Sequence, residues 1–128
     1  MNKYENNAYF WQKIDTICFS NSFVLLRSRN EAHSEFPNLI YPVDYGYLQD
    51  TLSASQGINV YRGSEKSSTV QAIVIAADIL KKDVEVKIIL GCTEQEEEDI
   101  LRFLNQTDLQ KAVLIRRGND IPSWGITD

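Results

Sequence analysis

The sequence predicts an α+β fold, in which a small, mostly antiparallel barrel or curled sheet is closed by two helices. Three observations lead to this prediction. The length of 128 residues suits one domain, so residues 1–128 are taken as a single unit. Apolar residues recur at helical spacing in two segments, and short β-branched runs bounded by turn-forming residues fill much of the rest. A hydrophobic fraction of 43% is enough for a packed core.

Both helices are predicted from apolar spacing and from their N-terminal caps. Residues 8–19 place apolar side chains on one face, and an asparagine, Asn6 or Asn7, serves as the cap. Residues 93–105 form the second helix, because Thr93 and the glutamate three residues later match a capping box. The acidic residues of its first turns are interpreted as partners of the helix dipole rather than as a metal site.

The predicted strands are short apolar runs, separated by segments of turn composition. They cover residues 23–26, 58–61, 70–77, 84–90 and 112–115. The tail from residue 118 onward is expected to be loose, with Trp124 as an aromatic anchor.

The segment 41–48 is expected to be a pocket wall rather than a plain strand. Pro42 removes a ladder donor and Gly46 packs no side chain, so both residues weaken a strand. Three tyrosines in the same segment would present phenol hydroxyls at fixed places.

Composition excludes several classes of partner. The net charge of −5 disfavours nucleic acid, because an acidic surface repels phosphate backbones. No apolar run reaches 18 residues, so no membrane span is expected. The N-terminal residues lack the pattern of a signal peptide, and we expect a cytoplasmic protein whose two cysteines, Cys18 and Cys92, are reduced.

Familiar catalytic arrangements are missing from the sequence. Its single histidine, His33, lies in a polar loop and is expected to be exposed and ordinary. No glycine-rich phosphate loop and no zinc-type Cys/His spacing occur.

The remaining candidates are groups that suit phosphate. Arg27 and Arg29 end the first strand, and a guanidinium fits phosphate oxygens. The hydroxyls of Tyr41 and Tyr45 either donate to an anion or lie at the surface as the tips of packed rings. Alternation places the side chains of residues 85 and 87 on one side of a strand, where they are either solvated or line a polar interior.

The segment Tyr41–Leu48 reads Tyr-Pro-Val-Asp-Tyr-Gly-Tyr-Leu and is followed by Thr-Leu-Ser at residues 51–53. It closely resembles the soluble inorganic pyrophosphatases of family I, whose consensus there is Tyr-Pro-x-Asn-Tyr-Gly-Tyr-Ile/Leu and then Thr-x-Ser. The layout of the chain is similar to a short bacterial branch of that family. The resemblance implies a five-stranded, OB-like barrel with flanking helices. It also implies Mg²⁺-dependent hydrolysis of pyrophosphate to phosphate, and it allows a homo-oligomer.

The resemblance also implies roles for individual residues. Tyr41 and Tyr45 match the two active-site tyrosines of the family, and Arg27 or Arg29 stands for its basic residues. Glu85-Val-Lys87 resembles the family's Asp-x-Lys, which contributes one metal ligand and one phosphate-binding lysine. The implied catalytic residues are therefore Tyr45, Glu85 and Lys87. The implied substrate-binding residues are Arg27, Arg29, Tyr41, Tyr45 and Lys87. The implied metal ligands are Asp78, Asp83 and Glu85.

One departure from the family concerns the metal. The family's loop Asp-Gly-Asp-Pro-x-Asp-Val supplies three metal carboxylates, whereas residues 53–60 here contain none, and Asn59 stands at a degenerate ligand position. Because neutral amides bind Mg²⁺ far more weakly than carboxylates, hydrolysis is expected to be weak or lost.

Three hypotheses follow from the sequence. The first is a pyrophosphatase-like enzyme. The second is a non-catalytic relative, which binds a phosphate-containing ligand or a protein partner in an immunity-type or regulatory role. The third, an OB-like nucleic-acid binder, is the weakest because of the net charge.

Overall fold

In a computed structural model of the protein, the structure describes residues 5–53 and 55–121. Two helices and six strands follow one another in this part of the chain. They are α1 (Ala8–Phe19), β1 (Phe23–Arg27), β2 (Asp44–Leu48), β3 (Asn59–Arg62), β4 (Ala72–Asp78), β5 (Asp83–Leu90), α2 (Glu94–Leu104) and β6 (Gln110–Arg116). The predicted α+β class is confirmed, and each predicted helix and strand has a counterpart. Trp124 lies outside the described residues.

The described strands form one open sheet in the order β1-β2-β3-β5-β4-β6. Every pair is antiparallel except β3 and β5, which run parallel. The predicted closure into a five-stranded barrel is wrong, since residues 5–53 and 55–121 form six strands, and β1 and β6 lie at opposite edges of the sheet.

A side chain occupies part of the outer edge of β6. The amide of Asn105 accepts from the backbone N–H of Ala112 at 2.9 Å and donates to the carbonyl oxygen of Ala112 at 3.3 Å. These backbone groups are therefore satisfied without another strand, which is one way in which a sheet edge is protected from further pairing.

The expectation that segment 41–48 avoids a plain strand is wrong for its second half, because β2 begins at Asp44. Pro42 lies before the strand and removes no bond from its ladder. Gly46 lies inside it for a steric reason: a Cβ atom there would be 2.1 Å from the carbonyl oxygen of Val24 and 2.7 Å from the ring of Phe23. The glycine thus permits a close approach of β1 to β2.

The caps explain where the helices begin. Asn7, rather than Asn6, caps α1, because its side chain accepts from the backbone N–H groups of Tyr9 and Phe10. Thr93 caps α2, and the predicted capping box with Glu96 is confirmed. No helix in the described ranges is both long and apolar enough to cross a membrane.

The two helices cover opposite faces of the sheet. On the α1 face, Trp11 packs on inward side chains of the strands, among them Ile73 and Ile88. On the α2 face, Ile100 packs with a second set that includes Val74 and Ile89. The sheet face covered by α2 also carries the candidate site.

Candidate functional site

A cavity of about 110 Å³ lies on the α2 face of the sheet. The loop between β1 and β2, the turn between β4 and β5, and the C-terminal end of α2 surround it. Its lining consists of His33, Glu35, Phe36, Leu39, Tyr41, Tyr45, Tyr61, Asp78, Leu80, Lys81, Lys87, Phe103, Leu104, Thr107 and Gln110. Sites for drug-sized molecules usually exceed ~300 Å³. A much smaller ligand therefore fits this cavity.

Lys87 lies at the base of this cavity and is only 6% exposed. Its ammonium donates to the hydroxyl of Tyr45 at 3.2 Å, to Oδ1 of Asn59 at 3.4 Å and to the carboxylate of Glu85 at 3.3 Å. An ammonium has three protons, so these contacts satisfy it. The carboxylate also compensates the cost of burying the charge.

Strand register brings this cluster together. Asn59 of β3 lies directly opposite Lys87 of β5 in the parallel pair. Tyr61 points to the same face as Asn59, because it lies two residues further along β3. Tyr45 of β2 in turn lies opposite Tyr61. Alternation along β5 predicts the shared face of Glu85 and Lys87, whereas Asn59 joins them through a pairing between strands that are not consecutive.

Aromatic rings form one wall of the cavity. The ring centroids of Tyr45 and Tyr61 are 4.7 Å apart, those of Tyr41 and Tyr45 are 5.3 Å apart, and that of Phe103 lies 4.7 Å from Tyr41. Burial raises the pKa of Tyr41 and of Tyr45 to about 12, and it raises the pKa of Tyr61 well above its usual range. The three hydroxyls therefore keep their protons at neutral pH and remain hydrogen-bond donors.

Two of these hydroxyls have no partner in the described part of the chain. Neither Tyr41 nor Tyr61 donates its hydroxyl proton to an acceptor there. Both residues line the cavity, so their donors are available to a ligand.

The expectation that His33 is exposed is wrong. The residue is half-buried, lines the cavity and stacks on Tyr41, with ring centroids 6.0 Å apart and an interplanar angle of 6°. Its Nδ1 accepts from the backbone N–H groups of Glu35 at 3.0 Å and of Phe36 at 3.3 Å. Burial lowers the pKa of His33. A lone histidine in a polar loop gave no sequence signal for this position.

The two candidate arginines lie in different places. Arg27 does not line the cavity, but it is close enough to Tyr41 for its positive charge to oppose the burial that raises the pKa of that residue. Arg29 instead lines a separate cleft of about 130 Å³, together with Arg62 and Glu96. The structure thus places Tyr41, Tyr45, Glu85 and Lys87 together and separates Arg29 from them.

The metal ligands implied by the resemblance do not form one site. Asp78 lines the cavity, but its Oδ1 accepts from the backbone N–H groups of Leu80 and Lys81 in the β4–β5 turn. Asp83 pairs with Asp78 across that hairpin and is not part of the lining. Within the described ranges, no three His, Cys, Asp or Glu side chains are grouped as a metal ion requires.

The donor set at the base of the cavity also does not fit Mg²⁺. The oxygens of Glu85 and Asn59 already surround the ammonium of Lys87. A divalent cation between those oxygens would meet a like charge at close range.

Sequence reasoning missed several lining residues besides His33. Tyr61 was assigned only to a strand, although alternation with Asn59 indicates its face. Lys81 belongs to a turn, and Phe103 belongs to the apolar face of a helix, so neither suggested a site.

Comparison of the chain with protein-family models, with curated proteins and with solved structures found no match. The relationship to inorganic pyrophosphatases stays a prediction, and function is inferred from the geometry of the cavity.

Proposed function

We propose that the protein is a pyrophosphatase-like domain that binds a small phosphate-containing anion, such as phosphate or pyrophosphate, and that hydrolysis is weak or lost. The single observation that carries the proposal is the meeting of Tyr41, Tyr45 and Lys87 at one small cavity. These are the residues that the resemblance assigns to phosphate binding. An OB-like ancestry of the sheet and a cytoplasmic location belong to the same proposal.

The chemistry of the cavity suits an oxyanion of limited charge. Lys87 supplies a positive charge, and the protonated hydroxyls of Tyr41 and Tyr61 supply neutral donors. The carboxylates of Glu35 and Asp78 also face the cavity and oppose an anion. We therefore expect the protein to bind the anion only weakly.

Glu85 controls how much of the charge of Lys87 reaches the ligand. The two groups form an ion pair at 3.3 Å, with side-chain exposures of 14% for Glu85 and 8% for Lys87. An anion that enters the cavity competes with this carboxylate for the ammonium. Binding would then proceed without a metal ion, since the ammonium stands among the oxygens that a metal would need.

The proposal is tested by calorimetric titration of phosphate and pyrophosphate, with EDTA and then with Mg²⁺. We expect saturable binding in EDTA by the unmodified protein and no binding by the double variant Glu85→Gln/Lys87→Met, which removes both charges of the pair. Lys66→Met is the control, because it removes one positive charge from the exposed turn between β3 and β4. Metal-dependent release of phosphate by the unmodified protein, abolished in Glu85→Gln, would instead support a working hydrolase.

A second candidate function is favoured by the α1 face of the sheet. On this face, three valines on β5 and β6 are exposed: Val84 by 68%, Val86 by 45% and Val113 by 60%. Contiguous exposed apolar side chains are typical of interaction surfaces. A protein partner of regulatory or immunity type, or a second copy of the chain, would bury them.

Several acidic residues of α2 have partners within the chain and contribute little to such an interaction. Glu96 completes the capping box of α2, Glu97 is buried against Arg116, and Asp99 pairs with Arg102. Light scattering of the unmodified protein and of Val84→Lys/Val113→Lys tests whether a second copy of the chain binds this face. A dimer of the unmodified protein, together with a monomer of the double variant, would support self-association.

A further inference from the structure

We propose that His33 is a neutral hydrogen-bond donor of the anion site, in which Nε2–H contacts the ligand while Nδ1 is held by the loop of the histidine itself. This inference rests on the proposed anion binding and adds to it a donor that neither the sequence nor the resemblance assigns.

The backbone around His33 fixes which ring nitrogen carries the proton. Nδ1 accepts from two backbone N–H groups, those of Glu35 at 3.0 Å and Phe36 at 3.3 Å. A nitrogen that accepts hydrogen bonds has no proton in the neutral ring, so the proton is on Nε2. The tautomer is therefore set by the turn at residues 33–36 before any ligand binds.

Nε2–H has no acceptor in residues 5–53 and 55–121. The histidine ring lies parallel to the ring of Tyr41, and both residues line the same cavity. Because Nδ1 faces the turn, Nε2 is the nitrogen left for the cavity. It extends the row of unpartnered donors that begins with the hydroxyls of Tyr41 and Tyr61.

Burial favours the neutral form of His33 at physiological pH. Burial and the positive charges of Lys81, in the β4–β5 turn, and of Arg27, on β1, all lower its pKa. The carboxylate of Glu35, in the loop of the histidine, acts in the opposite direction, and burial is the largest of these influences. A neutral donor suits this cavity, because the turn would lose both of its bonds to Nδ1 if that nitrogen were protonated.

Two substitutions separate the two nitrogens. His33→Asn keeps an acceptor oxygen close to the position of Nδ1, so it preserves the bonds of the turn, and it removes the Nε2–H donor together with the ring that stacks on Tyr41. His33→Gln carries its amide further out, close to the position of Nε2, and loses the acceptor for the turn. With inorganic phosphate at pH 7.5 in EDTA, we expect His33→Asn to bind roughly 5- to 10-fold more weakly, with an unchanged thermal midpoint. His33→Gln is expected to have a lowered thermal midpoint.

A second measurement does not depend on the folding of a variant. Long-range ¹H–¹⁵N correlation spectra of the unmodified protein report the tautomer of His33 directly. We expect the Nε2–H tautomer before phosphate is added and a shift of the Nε2 resonance on saturation.

The outcomes distinguish this inference from the proposal on which it rests. An Nδ1–H tautomer, or phosphate saturation without a shift of Nε2, overturns the role of His33 and leaves anion binding standing. Equal affinity of His33→Asn and the unmodified protein for phosphate also overturns the role of His33 and leaves anion binding standing. A failure of the unmodified protein to bind phosphate at all overturns both.

Discussion

Two buried charged side chains, Lys87 and Glu97, lie on the α2 face of the sheet and are held in different ways. Glu97, 4% exposed, accepts from Arg116 of β6 at 2.7 Å and from the side chain of Gln71 at 2.6 Å. Gln71 in turn bonds both backbone groups of Cys92, just before α2. The Glu97 cluster thus joins the helix to β6 and to the residue that precedes β4, which are distant in sequence.

The contacts of Lys87 add little connection between separate parts of the fold. Glu85 belongs to the same strand, and Asn59 lies opposite Lys87 on a strand that the backbone ladder already holds. The Lys87 cluster joins β2, β3 and β5, which the β2–β3 and β3–β5 ladders already hold side by side, and it opens onto a cavity. The difference teaches that a buried carboxylate that ties a helix to the sheet suits stability, whereas a buried ion pair within the sheet and beside a cavity suits binding.

The largest expected effect on stability tests the Glu97 cluster. Arg116→Met leaves the carboxylate of Glu97 buried with only Gln71 as a partner, and we expect a loss of about 2 to 3 kcal/mol in the free energy of unfolding. Urea denaturation measures it. Arg102→Met on α2 is the matched control, because its partner Asp99 is more exposed, and it should cost less than about 0.5 kcal/mol. Equal losses of stability in Arg116→Met and Arg102→Met would show that the Glu97 cluster stabilises the fold no more than an exposed ion pair.

The next prediction tests the Lys87 cluster in the same assay. Glu85→Gln/Lys87→Met replaces both charges, and a buried pair replaced as a whole usually costs little, so we expect a loss of less than about 1 kcal/mol. Anion binding should disappear in the same protein. A loss of stability as large as that of Arg116→Met would show that the Lys87 cluster is structural too.

A single substitution sharpens the contrast further. Glu85→Gln removes the carboxylate that competes with the ligand for Lys87, and we expect phosphate to bind roughly 5- to 10-fold more tightly. Titration in EDTA measures this affinity. Weaker binding would mean that Glu85 serves the ligand site in some other way, such as by orienting the ammonium.

The smallest expected effect is a pH dependence due to His33. Its pKa is lowered in the folded state, so its contribution to stability is present above the unfolded value, near 6.5, and is lost as the pH falls through the folded value. His33→Asn should therefore lose less stability between pH 8 and pH 5 than the unmodified protein. His33 is the only histidine, which makes urea denaturation at these two pH values a clean comparison. Equal losses of stability between pH 8 and pH 5 in the two proteins would contradict the lowered pKa of His33.

Local signals in the sequence predict the elements well. The capping box at Thr93, the asparagine cap of α1 and the shared face of Glu85 and Lys87 all depend on residues within a few positions of one another. Such interactions are set by helical or strand geometry alone.

Features that depend on distant residues could not be predicted. Gly46 belongs in a strand only because β1 approaches it closely, which its neighbours in sequence do not indicate. The sheet stays open at β6, where Asn105 occupies backbone groups of Ala112. His33 enters the cavity because the loop between β1 and β2 folds back over the sheet, and that loop has no periodic pattern.

The most direct test of the account is calorimetric titration of pyrophosphate into the unmodified protein and into Glu85→Gln/Lys87→Met, both in EDTA. We predict saturable binding by the unmodified protein alone, because Lys87 and the tyrosine hydroxyls hold the anion without metal. Binding or turnover that appears only when Mg²⁺ is added would contradict the account, since it would require a metal site among residues that the structure assigns to Lys87.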